Sequence, residues 1–265
     1  MKMKFGTLRL YGKFLAIHFK SAMQYKTSFF LSMLGQGFVT INTFLGIFFL
    51  FQRFHAIEGF TYSQVLLCYT VVLLQFYLAE FFARGFDRLD TLLGNGEFDR
   101  IMVRPRSTVF QVLTSRFEFT RLGRVLQVLI LLPYSIATCE VTWDFPKVLT
   151  LIFMILGGAL LFSSIFVAGA ALSFFTTQGL EVINVFTDGG KEHGKYPWSV
   201  YGKRVLQFCT IVVPYALVQY YPLLFLLDRE TNPIFIFLPL CAAWFLLPCA
   251  LLWKLGVRHY KSTGS

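Results

Sequence analysis

The stretch FFLSMLGQGFVTINTFLGIFFLF, residues 29–51, decides the fold class, because it carries no charged residue from end to end. A helix needs about 20 predominantly apolar residues to cross roughly 30 Å of hydrocarbon. The whole chain agrees with this stretch: 56% of its 265 residues are hydrophobic and only 14% are charged, whereas soluble domains carry about a quarter charged residues. The sequence therefore predicts an all-α integral membrane protein.

Five other segments are similarly apolar, so we expect six transmembrane helices in a single permease-like domain covering residues 1–265. The third segment is the weakest because it is short and contains Pro133, and the fourth contains GGALLFSSIFVAGAALS, whose small residues favour close helix packing. The uncharged run that begins at Phe29 is too long for a cleaved signal peptide. The predicted spans are about 29–51, 61–83, 122–139, 148–176, 205–227 and 234–253.

The basic residues predict the orientation of these spans. The segments 1–28, 84–124, 177–204 and 254–261 contain 21 of the 24 Lys and Arg residues, and the three remaining connections contain one each. Cytoplasmic loops are enriched in Lys and Arg, so both termini are expected to be cytoplasmic, provided that the third span is real. This distribution explains the net charge of +10 through contact with the bilayer, so we expect no nucleic-acid partner.

The first 28 residues have two distinct faces when placed on a helix. Four basic residues lie on one face and four apolar residues on another, which predicts an amphipathic helix in the cytoplasmic interface of the membrane. The alternative is a plain basic tail. The basic set is Lys2, Arg9, Lys13 and Lys20, and the apolar set is Leu8, Leu15, Phe19 and Ala22.

The segment TDGGKEHGKYPW, residues 187–198, contains most of a phosphate-binding loop. Such a loop needs Ser or Thr after its lysine and a helix that begins there, but Lys195 is followed by Tyr196 and Pro197. Proline also disfavours a helical conformation of the residue before it. We therefore expect a polar, glycine-rich turn without a nucleotide.

Side chains suited to chemistry are scarce within the predicted spans. Glu80 is the only acid there, and its spacing from Arg84 favours a structural ion pair, although an acid within the membrane also raises a functional hypothesis. The five cysteines have no metal-ligand spacing and are expected to be small buried residues. All four histidines lie outside the spans. The chain is thus expected to be no enzyme and to bind no metal or cofactor; its histidines are His18, His55, His193 and His259.

The connection between spans 2 and 3, residues 84–121, is too long and too patterned for a simple loop. Gly94-Asn95-Gly96 should end one helix, EFDRIMV should form a short helix, and Pro105 should stop it. A further helix should begin with a cap at Ser107 or Thr108 and continue into the third span. A short exposed helix of this kind is typical of a docking element for a cytoplasmic partner.

Two stretches resemble the permease subunits of ABC-2-type exporters, in particular a bacterial branch often encoded as two permeases beside one ATPase. The resemblance covers most of the chain. It implies an exporter in the bacterial plasma (inner) membrane that moves a hydrophobic or amphipathic cargo. It also implies a second permease, identical or paralogous, and separate ABC ATPase subunits that hold ATP and Mg²⁺. The matching residues are Gly96, Asp99, Arg104 and Pro105 in the first stretch, and Gly189, Gly190, Tyr196, Pro197, Pro214, Tyr221 and Pro222 in the second.

The resemblance and the residue pattern together predict two functional regions. In the first, a cytoplasmic coupling elbow, Phe98 should fill a groove on the ATPase. In the second, two prolines should break span 5, so that nearby tyrosines close the outer end of the pathway between two permeases; the alternative is a set of ordinary interfacial aromatics with a tolerated kink. The predicted coupling residues are Gly96, Glu97, Phe98, Asp99, Arg100, Arg104 and Pro105, and the predicted gate residues are Tyr220, Tyr221 and Pro222.

Other functions compete with export. A membrane scaffold or assembly factor could recruit a cytoplasmic partner without transport, and an intramembrane enzyme is disfavoured by the positions of the histidines. The cargo is not identified by the sequence. Polar residues within the spans could line a path or hydrogen-bond to neighbouring helices; they are Gln36, Asn42, Gln75, Gln127 and Gln219.

Overall fold

The computed structural model describes residues 2–54, 56–176 and 179–261, which are almost entirely helical. The expectation for His55 therefore lies outside the described residues. The helices are α1 Lys2–Ala22, α2 Lys26–Arg53, α3 Tyr62–Ala83, α4 Leu89–Gly94, α5 Glu97–Met102, α6 Thr108–Leu113, α7 Leu122–Thr138, α8 Phe145–Leu172, α9 Gly179–His193, α10 Lys203–Ile211, α11 Tyr215–Val218, α12 Tyr220–Leu226, α13 Ile234–Cys241 and α14 Leu246–His259.

Within the described residues, five helical runs are long and apolar enough to cross a membrane. A sixth is obtained if α10 and α11–α12, which are bent by 85° relative to each other, count as one broken span. The run Phe119–Thr138 qualifies despite Pro133, so the weak third span is present as a helix. The chain is thus an all-α protein with five or six candidate membrane spans.

Local capping explains where the long helices begin. Thr61 and Gln64 form a capping box before α3, and the Thr61 amide donates to Gln64 Oε1 at 3.3 Å. The Asp144 carboxylate accepts the Lys147 amide at 3.0 Å, and Pro146 occupies the first turn of α8, where its missing amide proton costs nothing. Each cap replaces hydrogen bonds that the first turn of a helix cannot make.

Helix α8 lies at the centre of the bundle and packs against α3, α9, α13 and α14. Helix α3 is buried on most of its circumference, and α7 packs against both α3 and α2. A Cβ atom at Gly157 would collide with the Pro239 carbonyl, and one at Gly158 would collide with the Gln75 side chain. The small residues of α8 therefore permit close helix approach, as the sequence predicted.

The two ends of the bundle differ in composition. One end, here called the basic end, contains the last turns of α3, α8 and α14 together with α4–α6; Phe86 and Phe174 meet Trp253 there, with ring centroids 5.4 and 5.6 Å apart. The opposite end contains the ion pair between Lys147 Nζ and Asp228 Oδ2, which are 2.7 Å apart. Arg229 also lies there, and it donates to Gln64 Oε1 at 3.0 Å.

The predicted cytoplasmic loop 177–204 is largely helical where the structure describes it, so the expectation of an irregular loop is wrong. Residues 179–193 form α9, which packs along α8. The Gly194 carbonyl then accepts hydrogen bonds from Gln219 Nε2 at 3.1 Å and from the Cys68 thiol at 3.5 Å. Cys68 lies 15 residues before the end of α3, roughly 22 Å along its axis at 1.5 Å per residue. The segment therefore enters the bundle.

The predicted fifth span, 205–227, corresponds to α10 and α11–α12, which together qualify as a candidate span broken by an 85° bend. Helix α9 runs from the basic end into the interior, and α11–α12 continue to the opposite end, where Asp228 pairs with Lys147. Helix α10, the first part of the predicted span, packs against α11 and the short turn Trp198–Tyr201. The charged residues of α9 lowered its apparent hydrophobicity, so a hydropathy criterion excluded it.

The predicted helix from Ser107 into the third span is interrupted. Ser107 caps α6 by accepting the Phe110 amide at 3.4 Å, as expected, but α6 ends at Leu113. The Ser115 hydroxyl donates to the Val112 carbonyl at 2.7 Å, which is a local alternative to continued helix. Phe117 then enters an aromatic cluster. This buried contact fixes the break before α7.

Helix α1 packs against the chain's own segment 110–119. The Tyr11 and Phe117 rings are 5.4 Å apart, and those of Phe19 and Phe119 are 5.2 Å apart. Of the predicted apolar face, Leu15 and Ala22 contact this cluster, whereas Leu8 is exposed. A location of α1 in the membrane interface stays a prediction.

Candidate functional site

The elbow has the backbone form that the sequence predicted. Helix α4 ends at Gly94, and Gly96 adopts a left-handed conformation with φ of 68°, which favours glycine. Helix α5 follows at once and ends at Met102, before Pro105. The elbow lies at the basic end of the bundle, and its docking role stays a prediction.

The position of Phe98 contradicts the proposed groove on a partner. Its side chain is 0% exposed, and its ring lies 5.1 Å from that of Phe174 and 5.0 Å from that of Tyr260. Burial and the neighbouring Asp99 carboxylate raise the pKa of the Tyr260 hydroxyl. Phe98 therefore anchors the elbow to the ends of α8 and α14 and cannot insert into another protein.

The exposed surface of the elbow is formed by other residues. Met102 and Val103 are 48% and 84% exposed, and Arg100 and Arg104 lie exposed on either side of them, followed by Pro105. This surface, here called the elbow patch, combines an apolar centre with a basic rim of arginines, a residue type that is enriched in protein-binding hot spots. The sequence analysis missed Met102 and Val103 because it gave the aromatic residue the anchoring role.

A groove of about 410 Å³ separates the elbow from α1. One wall carries Glu97, Arg100 and Arg104, and the other carries Phe14 and His18 of α1. His18 Nε2 is 3.3 Å from the Thr114 carbonyl oxygen, which ties α1 to the residues after α6. The elbow and α1 thus form one continuous surface at the basic end.

The predicted gate residues lie toward the opposite end and are largely engaged within the chain. The Tyr221 hydroxyl is 3.2 Å from Thr210 Oγ1, and its ring is 5.6 Å from that of Phe235. The Tyr220 and Tyr221 rings are 5.4 Å apart and both are partly exposed. A gating role stays a prediction.

The two prolines of this region have different effects. Pro214 lies at the 85° bend, as expected. Pro222 is buried in the first turn of α12, where its missing amide proton breaks no helical hydrogen bond. The break predicted there is therefore wrong; the irregular residue is Gln219, with φ −127° and ψ −62°.

Glu80 forms the predicted ion pair with Arg84, whose Nη1 is 3.4 Å from Glu80 Oε1. It also pairs with Arg121 and lies 3.7 Å from Arg124 Nη1. Glu80 is only 3% exposed, so the partners compensate for the loss of hydration. Helical spacing predicted only Arg84 of these three partners, because Arg121 and Arg124 come from the turn before α7 and from α7 itself.

Lys195 lies within the bundle rather than on an open loop. It is buried and pairs with the Glu192 carboxylate. Gly189 and Gly190 belong to the helix α9, so the predicted glycine-rich turn is wrong, and a Cβ atom at Gly190 would collide with the Tyr215 ring. Gly190 thus serves helix packing, and the helical backbone of both glycines differs from that of a phosphate-binding loop.

Two intramembrane glutamines hydrogen-bond to backbone carbonyls. Gln75 Nε2 donates to the Met154 and Val218 carbonyls at 2.9 and 3.3 Å. Gln219 Nε2 donates to the Tyr196 carbonyl at 3.0 Å, besides Gly194. These polar residues were expected either to line a path or to hydrogen-bond to neighbouring helices. For Gln75 and Gln219 the structure shows hydrogen bonds to neighbouring segments.

No group of three or more potential metal ligands occurs among the residues that the structure describes. Four of the five cysteines are buried, as expected, but Cys241 is exposed. No described cysteine is paired in a disulfide.

The comparisons with known proteins give one family. The sequence model of a family described as "ABC-2 family transporter protein" matches residues 38–264. No curated protein and no solved structure gives a significant match to the chain.

Proposed function

The chain belongs to the ABC-2 transporter family, whose members are the multi-pass membrane components of ABC transporters and work with ATPase partners; from this premise we propose that it is the permease subunit of an ATP-driven exporter. ATP and Mg²⁺ would be held by separate ABC ATPase subunits, and a second permease, identical or paralogous, would complete the pathway. The expected location is a bacterial plasma membrane with both termini in the cytoplasm. The expected cargo is hydrophobic or amphipathic.

The observation that carries this proposal is the elbow patch. An apolar centre of Met102 and Val103 is exposed on a short, rigidly anchored helix. It lies at the basic end, which the distribution of Lys and Arg assigns to the cytoplasm. We propose that the ATPase binds this patch and the adjoining groove.

A path for the mechanical signal follows from the burial of Phe98. A displacement of α5 acts directly on Phe174, which follows α8, and on Tyr260, which follows α14. Since α8 packs against most of the bundle, tilting its end moves the surrounding helices together. Closure of two ATPase subunits against the elbow would in this way open the pathway between the permeases.

The test replaces Val103 with Asp in the complex of the permease and its ATPase. A carboxylate buried at the interface without a partner costs on the order of 2 kcal/mol or more. Co-purification of the ATPase is therefore expected to fall more than about tenfold, and transport should be lost. Val109→Asp is the matched control, because Val109 is an exposed valine of the next helix, outside the groove.

Two outcomes would contradict the proposal. Equal loss of the ATPase in both variants would show a general effect of charge at this end, and full binding and transport by Val103→Asp would remove the elbow patch as the docking site. A complex in which the ATPase binds normally but no substrate stimulates ATP hydrolysis would instead favour a membrane scaffold.

A further inference from the structure

A charged cavity of about 260 Å³ lies between α3 and α9, apart from the elbow patch and the predicted gate. It is open on the α9 side, where the Asp188 and Glu192 side chains are 57% and 55% exposed. Its α3 wall shows residues at three- and four-residue spacing, which places them on one helix face. Helix α9 supplies the facing wall, and α2 and α7 close the sides. The residues from α3 and its C-cap are Tyr69, Leu73, Tyr77, Glu80 and Arg84, and those from α9 and the residues directly after it are Asp188, Lys191, Glu192 and Lys195.

The cavity reaches far into the bundle. The residues of its α3 wall extend from Tyr69 to Arg84, which is roughly 22 Å along the helix at 1.5 Å per residue. Ionisable groups at such depth in a membrane protein normally line a functional path or cavity. The depth of these charged groups therefore indicates that the cavity binds a ligand, in addition to any role of the charges in stabilising the fold.

More basic than acidic residues line the cavity. Five are basic and three are acidic. Asp87 and Glu118, which do not line it, pair with Arg84 and Arg121 from outside, and Lys191 and Lys195 pair with carboxylates of α9. These pairs involve four of the five cations, and the fifth shares Glu80 with Arg84 and Arg121.

Arg124 is the fifth. Its nearest carboxylate oxygen, Glu80 Oε2, is 3.7 Å from Nη1, which is too long for a hydrogen bond. Its Nε is buried without a hydrogen-bond partner among the described residues, and its guanidinium carbon lies 5.6 Å from the centre of the Tyr77 ring. A partly buried guanidinium with unused donors can bind an oxyanion through two parallel hydrogen bonds.

The cavity also borders apolar surface. Val39 of α2 lines it and is itself 54% exposed, and the neighbouring Phe38 is exposed as well. A ligand that places an anion beside Arg124 can therefore lay an apolar tail along α2. Burial of that tail adds affinity in proportion to its apolar area.

We propose that this cavity binds the anionic head group, a phosphate or carboxylate, of an amphipathic molecule, with Arg124 as the principal recognition residue. The molecule is either a resident membrane lipid or the exported cargo, and the cargo case rests on the proposed function. In both cases the same head-group chemistry occupies the cavity.

The test measures binding of dihexanoyl phosphatidylglycerol to the purified full-length chain in a non-ionic detergent, with dihexanoylglycerol as the uncharged comparison. Arg124→Gln is expected to weaken binding of the anionic lipid at least about tenfold, because charge-assisted hydrogen bonds are lost. Arg88→Gln is the matched control: Arg88 is an exposed arginine near the same end that does not line the cavity. Binding of dihexanoylglycerol should be weak in every variant.

A folding control is required because Arg124 also faces Glu80. Melting temperatures without lipid identify a misfolded variant. Arg124→Lys keeps the charge but loses the planar fork, so it should fold and bind with intermediate affinity. Equal affinities of the Arg124→Gln and Arg88→Gln variants, or equal binding of the uncharged lipid, would overturn the proposal. Binding of inorganic phosphate as tight as that of the lipid would overturn the amphipathic assignment.

The two sources are separated in the complex with the ATPase. Stimulation of ATP hydrolysis by the anionic amphiphile, lost in Arg124→Gln, assigns the cavity to the cargo. Binding without stimulation assigns it to a resident lipid and leaves the site intact. If the complex proves not to transport, binding by the isolated chain is unaffected, so failure of the proposed function is distinguishable from failure of this site.

Discussion

Phe98 illustrates how burial decides what a single residue can do. It lies on the same short helix as the exposed Met102, yet its ring packs against those of Phe174 and Tyr260. Replacement of a buried Phe by Ala costs about 3–5 kcal/mol through lost contacts and the cavity left behind. We therefore expect Phe98→Ala to lower the melting temperature of the isolated chain, and Phe98→Leu to lower it less.

The comparison that isolates this effect is Val103→Asp, which removes no buried contact and should leave the melting temperature unchanged. Thermal unfolding of each variant in the same detergent gives the result. If the Phe98→Ala variant has the same melting temperature as the unmodified chain but no longer binds the ATPase, Phe98 belongs to the interface after all.

Lys195 carries the second prediction at this scale. Its ammonium group is committed to Glu192, and the preceding glycines are helical, so Lys195→Ala should leave nucleotide binding by the complex unchanged. Photo-labelling with an ATP analogue measures this. Replacement of the phosphate-binding lysine in the partner ATPase is the positive control. Labelling of the permease chain that disappears in Lys195→Ala would refute the prediction.

At the level of elements, the sequence predicted best where one strong local signal acts alone. The ends of α3 agree with the prediction within two residues, because the apolar run is long and Thr61 caps it. Helix α9 was missed because its charges count against membrane insertion in any hydropathy scale. Its spacing of Asp188, Lys191, Glu192 and Lys195 was a usable helical signal, because the two lysines pair with the two carboxylates at helical spacing.

The broken fifth crossing supplies the prediction at this scale. Its irregular turns leave carbonyls that must find donors within the bundle, and Gln219 Nε2 serves those of Gly194 and Tyr196. Gln219→Leu should destabilise the chain by about 1–3 kcal/mol, because these buried acceptors become unsatisfied. Gln207→Leu is the control, since Gln207 is exposed on α10. Equal melting temperatures of the two variants would show that the carbonyls are satisfied otherwise.

At the scale of the whole molecule, helix α8 connects the basic end of the bundle to the opposite end. At the basic end the elbow is joined to α8 and α14 by Phe98. At the opposite end Lys147, near the start of α8, is joined to Asp228, just after α12, by the ion pair. Helix α8 thus contacts both the surface proposed to receive the ATPase and the segment that carries the predicted gate, which makes it the direct physical link between them.

This link predicts that Tyr221 responds to the ATPase state. We expect a cysteine at position 221 to cross-link to the facing permease in the resting complex and to lose the cross-link when ATP is trapped, because the segment is partly exposed and moves with α8. The exposed native Cys241 must first be replaced. Tyr134→Cys is the matched control, an exposed tyrosine on α7 near the same end, which should not cross-link in either state. A cross-link at 221 that persists with trapped ATP would remove the gate, and none in either state would place Tyr221 away from the permease interface.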